Sequence, residues 1–315
     1  MSRSTAWAAR AERGSLLGLR FIRFAYRSFG RRVCRILLYP IVGYFYLTSR
    51  AAKEASREYL AAVAAHPEGL RALGGPPSER MVFAHLLEFA RQLLDRFSVW
   101  SGDDESIVID PIGRENLRAA TSEGRGGILA GAHLGSFDMM RELSRRSGPT
   151  VNVLMFTKHA TRINGFFEEL DPESRVRVIE FDPTSVQAAF EIKRCTDRGE
   201  FVGIAGDRLW QAPRERSAKV DFLGRPARLP LGPFALQTVL GCPLLVALCI
   251  RVGPGHYATH VEPLAPSGLV PRGERAKRAE ELAQAYARVL ESHCLRAPLQ
   301  WFNFFPFFAA AGEAA

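Results

Sequence analysis

The apolar positions along the chain fall into three textures. Between residues 16 and 47 they crowd together, first around arginines and then in an uncharged run, Ile36-Leu-Leu-Tyr-Pro-Ile-Val-Gly-Tyr-Phe-Tyr-Leu47. Residues 51–73 and 79–96 follow with helical periodicity, separated by Gly74-Gly-Pro-Pro77. From about Val108 the texture changes again. Short runs rich in Val, Ile and Leu begin to alternate with amphipathic stretches, the signature of an α/β sheet. The runs are Gly127-Ile-Leu-Ala-Gly131, Val151-Asn-Val-Leu-Met-Phe156, Val176-Arg-Val-Ile-Glu-Phe181, Phe201-Val-Gly-Ile-Ala205, Leu244-Leu-Val-Ala-Leu-Cys-Ile250 and Tyr257-Ala-Thr-His-Val261. Helices are predicted over 139–146, 161–170, 185–198, 233–240 and 275–295. The chain closes on an aromatic tail, Trp301-Phe-Asn-Phe-Phe-Pro-Phe-Phe308.

Charge adds a location to this pattern. The net charge is +9 over 315 residues. The first 50 residues hold ten arginines against a single acid, Glu12, so the rest of the chain is balanced. Arg20, Arg23, Arg27, Arg31 and Arg35 recur at helical spacing and form one basic stripe among Leu and Phe. Such a helix reads as one that lies on an anionic membrane, the plainer alternative being a solvated basic face. Nucleic acid is not expected as a partner, because apolar side chains stand where base-reading ones would be. The uncharged run is short for a crossing, which takes roughly 20 apolar residues, so an interfacial or re-entrant anchor is predicted. It also makes a poor signal peptide. Five scattered cysteines suit a reducing compartment without disulfides. His256 and His260 share a strand face and are read as ordinary strand residues; no metal is expected.

The segment Gly126-Gly-Ile-Leu-Ala-Gly-Ala-His133-Leu-Gly-Ser-Phe-Asp138 carries the most chemistry. A strand runs into Gly131, a turn presents His133, and a helix is predicted to begin near Ser136 or Asp138. Five residues on a continuous helix leave two side chains about 140° apart, so His133 and Asp138 meet only if a turn intervenes, and Gly135 permits one. An imidazole held by a carboxylate is a competent base toward an alcohol. The alternative makes Asp138 a helix cap and His133 a loop residue.

Ala132-His133-Leu-Gly-Ser-Phe-Asp138 resembles the His-x4-Asp/Glu motif of the glycerolipid acyltransferase superfamily. More narrowly, the chain resembles the lauroyl/myristoyl late acyltransferases of lipid A biosynthesis, over nearly its whole length. Two further landmarks carry the likeness: Gly203-Ile-Ala-Gly-Asp207-Arg208, and Val220-Asp-Phe-Leu-Gly-Arg225-Pro-Ala-Arg228-Leu-Pro-Leu-Gly-Pro-Phe234. The resemblance implies a second active-site carboxylate at Asp207, orienting the acceptor or bracing nearby cations, or else simply paired with Arg208. It implies substrate-binding cations at Lys158 or Arg162, and at Arg208, Arg225 and Arg228, each with a surface ion pair as its alternative. The chain departs from the lipid A enzymes at three places. Asp138 stands for Glu, Arg208 follows Asp207 where Gln is usual, and Trp301-Phe-Asn303 replaces Trp-x-His. In these it is more similar to acyltransferases found with aryl polyene and xanthomonadin-type pigment pathways.

The expected fold is a three-layer α/β/α sandwich around a mixed sheet, in an acyltransferase domain over 51–315, behind a membrane-associating segment over 1–50. The expected activity is transfer of a fatty or aryl polyene acyl chain from an acyl carrier protein thioester to a lipid hydroxyl, the alternative being a late acyltransferase of lipid A precursor proper. His133 is the base and Asp138 its orienting partner, no cofactor is needed, and the setting is the cytoplasmic face of a bacterial inner membrane. A lipid ester hydrolase using Ser136, and a non-catalytic membrane-binding scaffold, are the alternatives of another class.

Overall fold

The computed structural model describes residues 16–100, 107–121, 124–136, 139, 149–155, 178–180, 187–209 and 216–308. Four helices open it: α1 (Leu16–Thr48), α2 (Arg50–Ala64), α3 (Pro67–Leu73) and α4 (Glu79–Trp100). The periodicity over 51–73 is thus two helices. Pro67 has no N–H to continue α2 and instead sits in the first turn of α3. Then come β1 (Val108–Ile112), α5 (Arg114–Thr121), β2 (Ile128–Gly131), β3 (Val151–Met155), β4 (Val178–Glu180), α6 (Gln187–Asp197) and β5 (Phe201–Ala205). A hairpin of β6 (Ser217–Phe222) and β7 (Arg225–Pro230) leads to α7 (Gly232–Leu240), β8 (Leu244–Gly253), β9 (His256–Ala265) and α8 (Arg275–Arg296). The helices predicted over 139–146, apart from Met139, and over 161–170 lie outside the described residues.

Seven strands form one mixed, mostly parallel sheet in the order β1-β9-β8-β2-β5-β3-β4. Among the described residues, only the β8–β9 pair is antiparallel within it. Successive residues of β2 enter different apolar clusters, as the alternation of a strand requires. Ile128 and Ala130 join Val202, Val246 and the α8 residues Tyr286 and Leu290 on one face. Leu129 joins Phe201, Leu245 and Ala247, covered by Leu117 and Ala120 of α5, on the other. Two strand regions were not predicted. Pro111 and largely exposed side chains mask β1, which is tolerated because β1 is an edge strand. The β6–β7 turn is Leu223-Gly224, both at positive φ, so it lacks the Asn or Asp that signals such turns.

The N-terminal helix is bent at Gly30, where φ is 72° and ψ 177°. Beyond the bend, Cys34, Leu38 and Val42 pack on Leu86, Leu87 and Leu94 of α4. The opposite side leaves Ile36, Tyr39, Tyr44 and Leu47 exposed. Arg31 turns inward and bonds Asp95 Oδ1 at 2.6 Å, so this member of the basic stripe serves the body of the protein. No described helix is long and apolar enough to cross a membrane.

Candidate active site

Two neighbouring parallel strands set the geometry. The β2–β5 register places Gly131 opposite Ala205, so two residues further along each chain come His133 and Asp207. Both stand at the carboxyl ends of the central strands, where open α/β sheets bind ligands. Gly131 O accepts the Gly206 N–H at 2.9 Å and the Tyr286 hydroxyl at 2.7 Å, which ties both strand ends together over α8.

The turn after β2 is shaped by Gly135, at φ 72°. A Cβ there would lie 2.0 Å from Cys249 O, so only glycine fits. Ser136 N donates to that same carbonyl at 2.8 Å, and Gly135 N donates to Gln300 O at 2.9 Å. His133 O accepts from Phe302 N at 2.8 Å. The aromatic tail therefore lies against the histidine turn as a short antiparallel partner.

Asp207 is fully buried and accepts three hydrogen bonds. His133 Nδ1 donates to Oδ1 at 2.8 Å, His133 N donates to Oδ2 at 2.8 Å, and Trp301 Nε1 donates to Oδ2 at 3.0 Å. A carboxylate can only accept, so Nδ1 carries the proton and Nε2 is left with its lone pair. Burial alone would raise the Asp207 carboxyl. The attraction and hydrogen bonds of His133, with Arg208 beside it, outweigh burial and hold the carboxyl well below its usual range. His133 is pushed below its ordinary 6.5, first by burial and then by Arg208, against the pull of Asp207. At neutral pH the pair is thus a carboxylate and a neutral imidazole whose side chain is 36% exposed.

Arg208 donates from Nη2 to Phe302 O at 2.7 Å and lies 5.5 Å from the Phe305 ring centroid. Its Nε is buried and has no hydrogen-bond partner among the described residues. Burial lowers it to about 10, so it stays a cation at neutral pH.

Behind the dyad a second row of polar groups fixes the tail. His85 is fully buried, and its Nε2 donates to Trp301 O at 2.9 Å while Ser56 Oγ lies 2.9 Å from Nδ1. The carbonyl can only accept, so Nδ1 is the bare nitrogen and Ser56 donates to it. Gln300 is clasped by the Arg251 backbone on both sides, at 2.9 and 2.7 Å. Arg251 in turn pairs with Glu88 at 3.0 Å and Asp95 at 3.1 Å. Pairs this deeply buried need every partner.

Of the residues singled out in the sequence, His133, Asp207 and Arg208 come together. Arg225 is engaged elsewhere, 2.9 Å from Glu58 and stacked 4.3 Å over Phe308, and Arg228 bonds Ser217 at 3.0 Å. No hydrogen bond joins either arginine to His133 or Asp207 among the described residues. Asp138, Lys158 and Arg162 lie outside those residues. The structure thus gives His133 Nδ1 to Asp207, the carboxylate that sequence reasoning had placed on the acceptor or the cations and not on the imidazole. His85 and Gln300 were missed altogether, and Trp301 was noted only as part of the tail, not as a donor to Asp207.

A family model described as bacterial lipid A biosynthesis acyltransferase matches residues 76–309. The chain belongs to this family. It is also similar to curated proteins named phosphatidylinositol mannoside acyltransferase. One, from Mycolicibacterium smegmatis, is 29% identical over 203 residues, 59% of this chain and 62% of its own length. Another, from Mycobacterium tuberculosis, is 26% identical over 250 residues, 73% of this chain and 72% of its own. The chain thus spans less than two thirds of the M. smegmatis relative. The matched family segment contains His133, Asp207, Arg208 and Trp301.

Proposed function

We propose that this family member transfers an acyl chain from a thioester to a hydroxyl of a lipid acceptor, with His133 as general base and Asp207 as its orienting carboxylate. The observation that carries the reading is the Nδ1–Asp207 hydrogen bond of 2.8 Å, which leaves Nε2 bare on a partly exposed ring. The acceptor O–H gives its proton to Nε2 as its oxygen attacks the thioester carbonyl. Collapse of the tetrahedral intermediate breaks the C–S bond, and the leaving thiolate takes the proton back from Nε2. An ester and a free thiol result, so the step balances without a resident cofactor or metal.

Arg208 is the proposed partner for the developing oxyanion or for an acceptor phosphate, since a cation beside the imidazole with an unpartnered Nε is suited to either. Asp138, Lys158 and Arg162 remain proposed members of the site on sequence grounds. Arg225 and Arg228 are better read as holding the β6–β7 hairpin. The donor is an acyl carrier protein thioester carrying a fatty or aryl polyene chain. The acceptor class is a hydroxylated membrane lipid, a lipid A precursor or a glycolipid of the kind named for the mycobacterial relatives. The exposed Ile36, Tyr39, Tyr44 and Leu47 of α1, with the basic charge of the N-terminal sequence, would meet anionic lipid at the cytoplasmic face of a bacterial inner membrane.

A lipid hydrolase is the weaker reading. Ser136 is buried, and no hydrogen bond joins it to His133 among the described residues. A scaffold without catalysis gives no reason for a buried carboxylate to accept three donors beside a bare imidazole nitrogen. Lipid mass spectrometry of a deletion strain tests the reading. One membrane lipid losing a single acyl chain supports it, and an unchanged lipid profile counts against it.

A further inference from the structure

A second cluster lies apart from the His133 dyad. His260 and Glu262 stand two residues apart on β9 and therefore point to one face. His293 meets that face from the buried side of α8, on the side that carries Tyr286 and Leu290. Its Nε2 is 2.7 Å from Glu262 Oε1, and the His260 and His293 rings are 4.7 Å apart between centroids. One ligand atom from each residue lies within 4.8 Å of the other two. From sequence alone His256 looks like the partner of His260, but it turns away to Asp110 at 2.7 Å.

We infer that His260, Glu262 and His293 form a binding site for one divalent transition-metal ion, zinc being the best fit, which clamps β9 to the end of α8. Two imidazoles and one carboxylate are a borderline nitrogen and oxygen set, suited to zinc and its neighbours and not to calcium or magnesium. Bonds of about 2.1 Å in a tetrahedral site bring ligand atoms to about 3.4 Å of one another. His293 is buried and fixed, so the closure falls to His260 and Glu262, both half-buried side chains with room to adjust. A water molecule completes the fourth position. The nearest cation on the helix, Arg296, is turned onto Ser292 O and Oγ, both at 3.1 Å.

The position gives the ion a use. Four residues past His293, Ala297 closes the helix onto His293 O at 2.9 Å. The chain then passes through Pro298–Gln300 into the tail that holds Asp207. A metal clamp at His293 fixes the point from which that tail is launched. The inference is independent of the proposed acyl transfer.

Calorimetric titration of the chelator-stripped full chain with Zn²⁺ tests it, alongside the visible absorption of the Co²⁺ form. The expected result is one ion per chain, a raised thermal midpoint and a four-coordinate Co²⁺ spectrum. Separately, His260→Ala and Glu262→Gln should each weaken binding by at least about tenfold, the loss that removal of an outer partner alone produces. Neither substitution removes a buried side chain, so circular dichroism should show both variants folded. No Zn²⁺ binding by the wild type, or binding by both variants as tight as the wild type's, overturns the inference and leaves a plain Glu262–His293 hydrogen bond.

Discussion

Trp301 donates its indole N–H to Asp207 Oδ2 at 3.0 Å, and Asp207 accepts from His133 Nδ1 with its other oxygen. The aromatic tail thus acts on the imidazole through the carboxylate between them. The indole is fully buried, packed against Tyr59 at 4.9 Å and Phe222 at 5.1 Å between ring centroids, so its direction is fixed. Replacing Trp301 by Phe keeps much of this packing and removes one donor to a buried charge. Unfolding in denaturant should show a loss of about 1.5–3 kcal/mol, with slower transfer. An unchanged stability would mean that the indole bond does not support the carboxylate.

Arg208 should set the pH at which the base works. His133 lies below its ordinary 6.5 because of burial and then Arg208. The neutral, active imidazole is present above the pKa, so kcat/KM should fall on acidification with a midpoint below 6.5. In Arg208→Met the opposing cation is gone, and that midpoint should move up even as the rate drops. A midpoint that stays in place would separate Arg208 from the dyad.

The buried His85 makes a separate prediction about stability. Burial pushes it down to about 4 against the raising effect of the Trp301 carbonyl, from an ordinary 6.5. Between those values the unfolded chain binds the proton and the folded chain does not. Stability is therefore full above about pH 6.5 and declines as pH falls toward 4, by about 3 kcal/mol in total. His133, His260 and His293 are lowered too and act in the same direction. In His85→Gln, whose amide can still donate to Trp301 and accept from Ser56, the decline between pH 7 and 5 should be shallower. An equal slope in both proteins would contradict the assignment of His85 as a buried neutral group.

Membrane attachment should depend on the outward face of α1. Ile36 is 68% exposed, Tyr44 61% and Leu47 77%, while Leu38 and Val42 are buried against α4. Deleting the whole segment would uncover that core, so substitution is the cleaner test. Ile36→Glu combined with Leu47→Glu should leave the fold intact and reduce sedimentation with anionic vesicles severalfold. Undiminished binding would assign the contact to another surface.

The sheet was legible because buried central strands are continuous apolar runs bounded by turns, as in Ile128–Gly131 and Leu244–Ile250. His133 was legible from its strand–turn setting. Its bond to Asp207 was not, because Asp207 is near only through the β2–β5 register, and Asp138, the partner read from sequence, lies outside the described residues. Counting both chains from the ends of neighbouring parallel strands would have found the pair, but strand order is not written in the periodicity. His85, Trp301 and Gln300 escaped for a related reason. Their partners lie far along the chain, and a buried polar side chain inside an apolar stretch looks like an interruption until its partner is seen. Arg31 read as part of a lipid-facing stripe because Asp95, which turns it inward, comes three helices later.

Single-turnover transfer from an acyl carrier protein thioester into membrane lipid extract, comparing wild type with His133→Ala, tests the central claim most directly. The account predicts loss of transfer by about 10²-fold or more, the usual range for removing a general base, with circular dichroism and thermal midpoint little changed. Near-wild-type turnover by a folded His133→Ala protein would contradict it.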